Sequence, residues 1–469
     1  MMSTTAWTLG LAGGLALLTW WMWRVNRRAF VVAAIHNGVW ALALVMLSTG
    51  LIAYDPSSAA AWATVAVGLL AFNAGVAAIA LVRPKRSAAT APEVPSGPRD
   101  EAAPGRGAAA LMGRRTFLVL AALYVAAFVA YLWVQTARVG FNVLISDPAR
   151  IRDFQGQSNL ESTPLAIRIF FDLAPILFAA LAYRPAIDRP FPLVGRLLGL
   201  TVIAASMLAL LQRTNVFLAV LLWISLVIFG WAGPSRDAGR RRRSTWARAS
   251  IVVIAGGALL LGSFQLIGTT LGKGDIQAIS SGRVAPALQG SGLTAAFVYA
   301  TAGVPAFTHL VDSTNPDLPP ASADHIVSGD YNPVLWGAAQ FQLVARYLPG
   351  VPDWSPIEPF IDCGIATNVY TWMGPSYRDF RVPGLAIEMF LIGFVIAGLY
   401  RFRWRSPRFF WLGALGMSAL FLVTFASPTQ WASLEIFTIV LLLALTSPRI
   451  SRVLSRSISR RVSRPGADR

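Results

Sequence analysis

The chain has 469 residues, of which 55% are hydrophobic and 13% charged, and its formal net charge is +18. A soluble protein normally carries about a quarter charged residues, so this composition, with a mean hydropathy of +0.57, excludes an ordinary soluble domain. The sequence also holds no phosphate-cradling or dinucleotide glycine loop, which excludes a soluble nucleotide-driven domain.

Apolar runs long enough to cross a bilayer recur along the chain, and they predict an all-α, polytopic integral membrane helix bundle of about 11 spans. Residues 1–82 hold the first three, Ala6–Trp23, Phe30–Ala53 and Ala59–Val82. The first is not read as a signal peptide. It lacks a basic lead and closes on Trp20-Trp21-Met22-Trp23 and arginines, not on a small-residue cleavage site. Residues 83–115, rich in Pro, Ala, Gly and Arg, read as a disordered cytoplasmic linker. Spans four to eight fill residues 116–271: Thr116–Gln135, Pro164–Tyr183, Leu197–Leu211, Val216–Trp231 and Ala249–Leu271. Residues 272–381 form a large polar region, too long for a mere connector. Residues 382–446 hold the last three spans, Val382–Tyr400, Phe409–Phe425 and Trp431–Leu445, before a basic tail over 447–469.

Charge sets the orientation, because cytoplasmic loops carry the excess of Lys and Arg. Arg24, Arg27 and Arg28 place the first loop inside. Threading onward places the segments 83–115, 184–196, 233–248, 401–408 and the tail from Arg449 on the same side. Together these hold 30 of the 40 Lys and Arg and 6 of the 22 acids. The predicted N-terminus is therefore outside and the C-terminus cytoplasmic, in a cell membrane. The basic excess is a topology signal, so no nucleic-acid partner is expected. Arg240–Arg243 reads as an anchor to anionic lipid headgroups.

Leu293–Val311 is apolar enough to cross, but a crossing there would put Arg401–Arg405 and the tail outside. Gly303 and Pro305 also interrupt it. It is read as a re-entrant or surface-lying helix, since non-helical backbone at membrane depth is tolerated where protein or water covers it. Residues 272–381 then form one extracytoplasmic functional loop. The lone Cys363 lies in it without a disulfide partner. His36, His309 and His325 form no ligand-spaced cluster, and Asp275, Asp312, Asp317, Asp324 and Asp330 are scattered, so neither a metal nor a cofactor is expected.

Charges inside spans are costly and mark function by default. Arg168 and Asp172 share a helix face at i, i+4. Glu388 and Glu435 lie a few residues into their spans, and Arg213 sits at the tip of the tight turn Gln212-Arg213-Thr214-Asn215. By this threading all face the outer half of the membrane. An arginine at headgroup depth suits a bidentate phosphate contact, and it equally suits snorkelling to ordinary lipid headgroups.

The densest chemistry is the stretch Thr367-Asn368-Val369-Tyr370-Thr371-Trp372-Met373-Gly374-Pro375-Ser376-Tyr377-Arg378-Asp379-Phe380, followed by Pro383-Gly384 and an apolar helix. It resembles the "T-N-x-Y-T…P…Y-x-D-F-G" block of the Wzy-type oligosaccharide repeat-unit polymerases. Arg213-Thr214 resembles that family's Arg-Ser/Thr pair opening a central helix. Tyr299-x-x-x-Gly303-x-Pro305-Ala306-Phe307 resembles its "Y…G-x-P-A-F" segment. The resemblance covers roughly residues 213–399. Two features depart from it: Arg381 stands where the family usually has Gly, and no external arginine carries the Arg-x10-Gly spacing.

The resemblance implies an outer-leaflet glycosyltransferase acting on polyprenyl-diphosphate-linked oligosaccharide, within membrane lipid, beside a flippase and a chain-length regulator. An acceptor hydroxyl attacks the donor's anomeric carbon and the lipid diphosphate leaves. That leaving group needs cationic clamps, for which Arg213, Arg283, Arg346 and Arg378 are candidates. The hydroxyl needs a base within hydrogen-bond reach, for which Asp379 comes first and Glu388 second. Asn368, Tyr370, Trp372 and Tyr377 are candidate sugar contacts, although interfacial aromatics also serve as membrane anchors. An oligosaccharide ligase would use the same donor. A flippase or transporter should instead show paired halves with a midplane site.

Overall fold

The structure, a computed structural model, describes residues 4–26, 30–81, 112–142, 170, 173–209, 213–231, 262, 282–289, 293–313, 361–367 and 369–424. Among these are eleven α-helices: α1 (Thr4–Asn26), α2 (Val31–Ser48), α3 (Ala59–Leu81), α4 (Arg114–Val139), α5 (Ala174–Ala182), α6 (Leu193–Ala209), α7 (Arg213–Trp231), α8 (Thr294–Thr301), α9 (Gly303–Ser313), α10 (Met373–Phe402) and α11 (Pro407–Leu420). A small antiparallel hairpin, β1 (Ile361–Asp362) with β2 (Ala366–Thr367), pairs Ile361 with Thr367. Strands of two residues have no period to read, so no sequence pattern foretells this hairpin.

The architecture is that of an all-α membrane protein. The helices α2, α3, α10 and most of α4 are long and apolar enough to cross a membrane, and α6 and α7 are shorter apolar helices. The expected spans 249–271, apart from residue 262, and 431–445 lie outside the described residues. The segment read as re-entrant or surface-lying forms α8 and α9, two helices bent by 42° at Ala302, and every residue of α9 from Gly303 to Asp312 is buried.

Helices α3 and α10 run parallel and in close contact. A Cβ on Gly75 would collide with the Phe390 carbonyl, and one on Gly393 with the Phe72 carbonyl. Glycine at both positions lets the backbones approach more closely than side chains allow, as small residues do in membrane helix pairs.

The first turns of α10 depart from the predicted loop. Residues 373–379 are helical, and Thr371 Oγ1 accepts the Met373 N–H at 3.3 Å just before them. The helix breaks at Phe380 (φ −141°, ψ 16°) and Arg381 (φ 59°, ψ −155°) before resuming. The break is sharp. Met373 and Leu385, which would lie about 18 Å apart along a straight helix, both pack on Gly68. The signature arm therefore doubles back beside the long arm instead of extending it.

The two ends of the bundle differ in charge. At one end Arg401 bonds the Ile79 carbonyl, Tyr183 stacks on Phe410, and Met112 pairs with Ile187. This gathers Arg114, Arg184, Arg189, Arg196, Arg401, Arg403 and Arg405. Arg403 lies 4.0 Å over Tyr400 and Arg405 4.3 Å over Phe402. Between the ends, α2 and α3 are locked by Asn37 and Asn73, whose side-chain amides exchange two hydrogen bonds of 2.9 Å.

Candidate functional site

The opposite end is closed by three chain segments that meet over the bundle. The loop after α2 pairs with residues 283–285, where Ala53 N–H donates to the Arg283 carbonyl at 2.8 Å and Ala285 N–H to the Leu51 carbonyl at 2.8 Å. It also meets the hairpin, where Asp55 N–H donates to the Cys363 carbonyl at 2.9 Å. Gly364 turns that hairpin at φ +94°, and a Cβ there would sit 3.0 Å from the Ala53 carbonyl. Helix α9 completes the cap. Thr308 bonds Ser57 at 2.7 Å, Tyr54 bonds Thr301 at 2.8 Å, and His309 Nε2 lies 3.2 Å from the Asp55 carbonyl. The Asp312 carboxylate accepts the Ser58 N–H at 2.9 Å and the Ser58 hydroxyl, which places an acid at the α3 N-terminus, where the helix dipole favours it.

The hairpin leads straight into the signature arm. Trp372 N–H donates to the Val423 carbonyl at 3.0 Å, and Thr371 lies against Gly303 at the α8–α9 bend. From Tyr370 to Asp379 every residue is buried. Tyr377 meets Phe307 of α9 edge-on at 5.8 Å. Trp372 points the other way, into an aromatic layer with Phe72 at 5.7 Å and His36 at 5.8 Å. His36 stacks on Phe72 at 3.7 Å and is 3.0 Å from Asn37 Oδ1 through Nδ1. Asn37 Oδ1 also accepts from Asn73, so it acts as acceptor toward the His36 ring as well.

Two ionisable side chains are buried on the arm: Arg378 is 1% exposed and Asp379 0%. Ionised groups are withdrawn from water only where partners or function compensate. The helix break follows immediately. Among the described residues, Arg381 is the one non-glycine with positive φ. Its φ/ψ pair borders a region populated essentially by glycine and costs about 1–3 kcal/mol. Its guanidinium lies 5.3 Å over the Tyr377 ring, and Nη1 is buried without a hydrogen-bond partner among the described residues.

The structure thus puts Tyr370, Trp372, Tyr377, Arg378 and Asp379 on one buried arm, and half-buried Glu388 two turns beyond the break. Arg283 stands in the cap above, in a 2.5 Å ion pair with Asp55. Arg213 is the first residue of α7. That helix runs antiparallel to α11, with Phe229 against Phe410 and Gly413 at the arginine-rich end. Arg213 therefore opens α7 at the end of the bundle that bears the arm, although its side chain lies outside the described residues. Arg346, Asn368, Arg168, Asp172 and Glu435 also fall outside them. Among the described residues no three His, Cys, Asp or Glu side chains are arranged to hold a metal ion.

Sequence reasoning passed over Asp55 and Asn73, weighed His36 only as a metal ligand, and noted Arg381 only as a departure. A histidine followed by an asparagine inside an apolar run is a readable signal for the α2–α3 lock. The role of Asp55 was not readable, because its partner lies 228 residues away. Comparison with family models, curated proteins and solved structures finds no match to this chain.

Proposed function

We propose that the protein is a membrane glycosyltransferase that polymerises polyprenyl-diphosphate-linked oligosaccharide repeat units at the outer leaflet. The observation that carries this reading is the signature arm, a buried run of aromatic and charged residues folded back between α9 and the long arm of α10. A surface connector would expose its Arg and Asp, whereas a site for charge development withdraws them from water. The glycine-type backbone at Arg381 adds support, since the polymerases that the chain resembles carry glycine at that position.

In this reading the cap faces outward and the arginine-rich end is cytoplasmic, in keeping with the positive-inside rule. All eleven expected spans contribute to the bundle. Arg213 and Arg378 clamp the departing diphosphate, joined by Arg283 from the cap and by Arg346. Asp379 accepts the proton of the attacking hydroxyl, and Glu388 stands behind it. Tyr370, Trp372, Tyr377 and Asn368 shape the sugar subsites. The bond formed is between the acceptor oxygen and the donor anomeric carbon. The bond broken joins that carbon to the diphosphate, which departs with its electron pair.

The test is turnover. Purified protein in lipid nanodiscs receives a defined lipid-linked repeat, and products are separated by length. A ladder of lengthening lipid-linked chains is expected. Transfer only to a non-isoprenoid acceptor would identify a ligase, and no transfer to any acceptor would sink the enzyme reading.

A further inference from the structure

Arg381 combines two independent features that packing does not explain. Its backbone occupies a conformation that glycine adopts freely and arginine does not (φ 59°, ψ −155°). Its guanidinium, held over the Tyr377 ring, keeps Nη1 buried with no hydrogen-bond acceptor among the described residues. A buried, unanswered donor on a charged group is expensive, and a strained backbone adds to the cost. A chain selected for stability alone would place glycine here and lose both penalties.

The position says what such a group would meet. Arg381 lies where the buried arm turns into the long arm of α10, next to Arg378 and Asp379, at the end of the bundle opposite Arg401 and Arg403. Its planar fork presents five donors and matches phosphoryl oxygens bidentately. The Tyr377 ring, 5.3 Å from the guanidinium carbon, holds the cation in place from one side.

We propose that Arg381 is a binding residue for the diphosphate of the lipid-linked substrate, and that its strained backbone is kept because it aims the guanidinium at that group. This rests on the glycosyltransferase reading for the identity of the anion. An ordinary headgroup phosphate shares the chemistry, so the test separates the two sources.

Wild-type protein, Arg381→Gly and Arg381→Lys are purified in nanodiscs of neutral lipid. Thermal unfolding is followed with polyprenyl diphosphate, with polyprenol, and with phosphatidylglycerol added. Arg381→Gly alone should be at least as stable as wild type, which shows that it folds. Polyprenyl diphosphate should raise the wild-type midpoint most, Arg381→Lys less, and Arg381→Gly least. The affinity loss should be about tenfold to a hundredfold, the range for hydrogen bonds to charged groups. Polyprenol should do nothing. An undiminished shift in Arg381→Gly, no shift in wild type, or an equal shift with phosphatidylglycerol would each overturn the assignment. If diphosphate binding depends on Arg381 but wild type extends no lipid-linked repeat, the polymerase reading fails and this binding role stands.

Discussion

The guanidinium of Arg283 holds the Asp55 carboxylate at 2.5 Å and so joins the loop after α2 to a segment that precedes α8. The pair lies at the surface, with the two side chains 45% and 27% exposed, and it raises the arginine pKa further above its ordinary value through the hydrogen bond and charge of Asp55. Exposed ion pairs contribute little to stability. Asp55→Asn and Arg283→Ala should therefore leave the thermal midpoint nearly unchanged. Chain growth separates the roles: a clamp loses activity in Arg283→Ala and keeps it in Asp55→Asn, whereas a structural tie behaves alike in both.

Cys363 should be inert in the folded protein. It is buried, and burial pushes its thiol up to about 12. A membrane-impermeant maleimide on intact cells should not modify it. In a Cys363→Ala background, Ala287→Cys sits on the exposed turn after Arg283 and should react from outside. Labelling of Ala287→Cys only after permeabilisation would reverse the proposed orientation.

The same thiol gives a pH expectation. Its folded pKa lies above its ordinary 9.0, so the folded state favours the protonated form. That contribution is fully present below about pH 9 and is lost as pH rises toward about 12. Burial also raises the Tyr54 hydroxyl beside it. The cap should weaken with rising alkalinity, and Cys363→Ala should show a shallower fall of thermal midpoint across that window than wild type.

Asp379→Asn preserves size and most hydrogen bonding while removing basicity. If Asp379 is the base, lipid-linked single repeats should accumulate while membrane abundance stays normal. Polymer of normal length in that strain would make the residue structural. Arg213→Ala should likewise abolish polymer, with partial rescue by Arg213→Lys, because an ammonium lacks the planar fork.

Gly75→Ala places a methyl group against the Phe390 carbonyl. The backbone cannot rotate away, so α3 and α10 must separate. A loss of about 1–3 kcal/mol is expected, as for other overpacked cores. Gly10→Ala, whose added carbon meets nothing, should be silent in the same denaturation assay.

The spans were legible in the sequence wherever one apolar run makes one helix, as in α2, α3 and α4, because hydropathy alone selects them. The signature arm was legible as a motif but not as a shape. Met373–Asp379 carries Gly374 and Pro375 and read as loop, yet proline is tolerated in a first helical turn. The reversal at Phe380–Arg381 was hidden because arginine does not announce a glycine-type conformation. Burial of Arg378 and Asp379 is a tertiary fact with no local signature. Arg346 and Asn368 stay where the sequence left them.

The paired amides of Asn37 and Asn73 have a mechanical consequence. Each bond requires the other, and both sit among apolar neighbours where water offers no substitute. Sliding α2 along α3 by a single residue would strip two donors and two acceptors at once, as a buried asparagine pair does when it fixes the register of a coiled coil. The α2–α3 wall is therefore a fixed post. It also holds Phe72, and through it Trp372 at the foot of the signature arm, at a constant height while any substrate comes and goes.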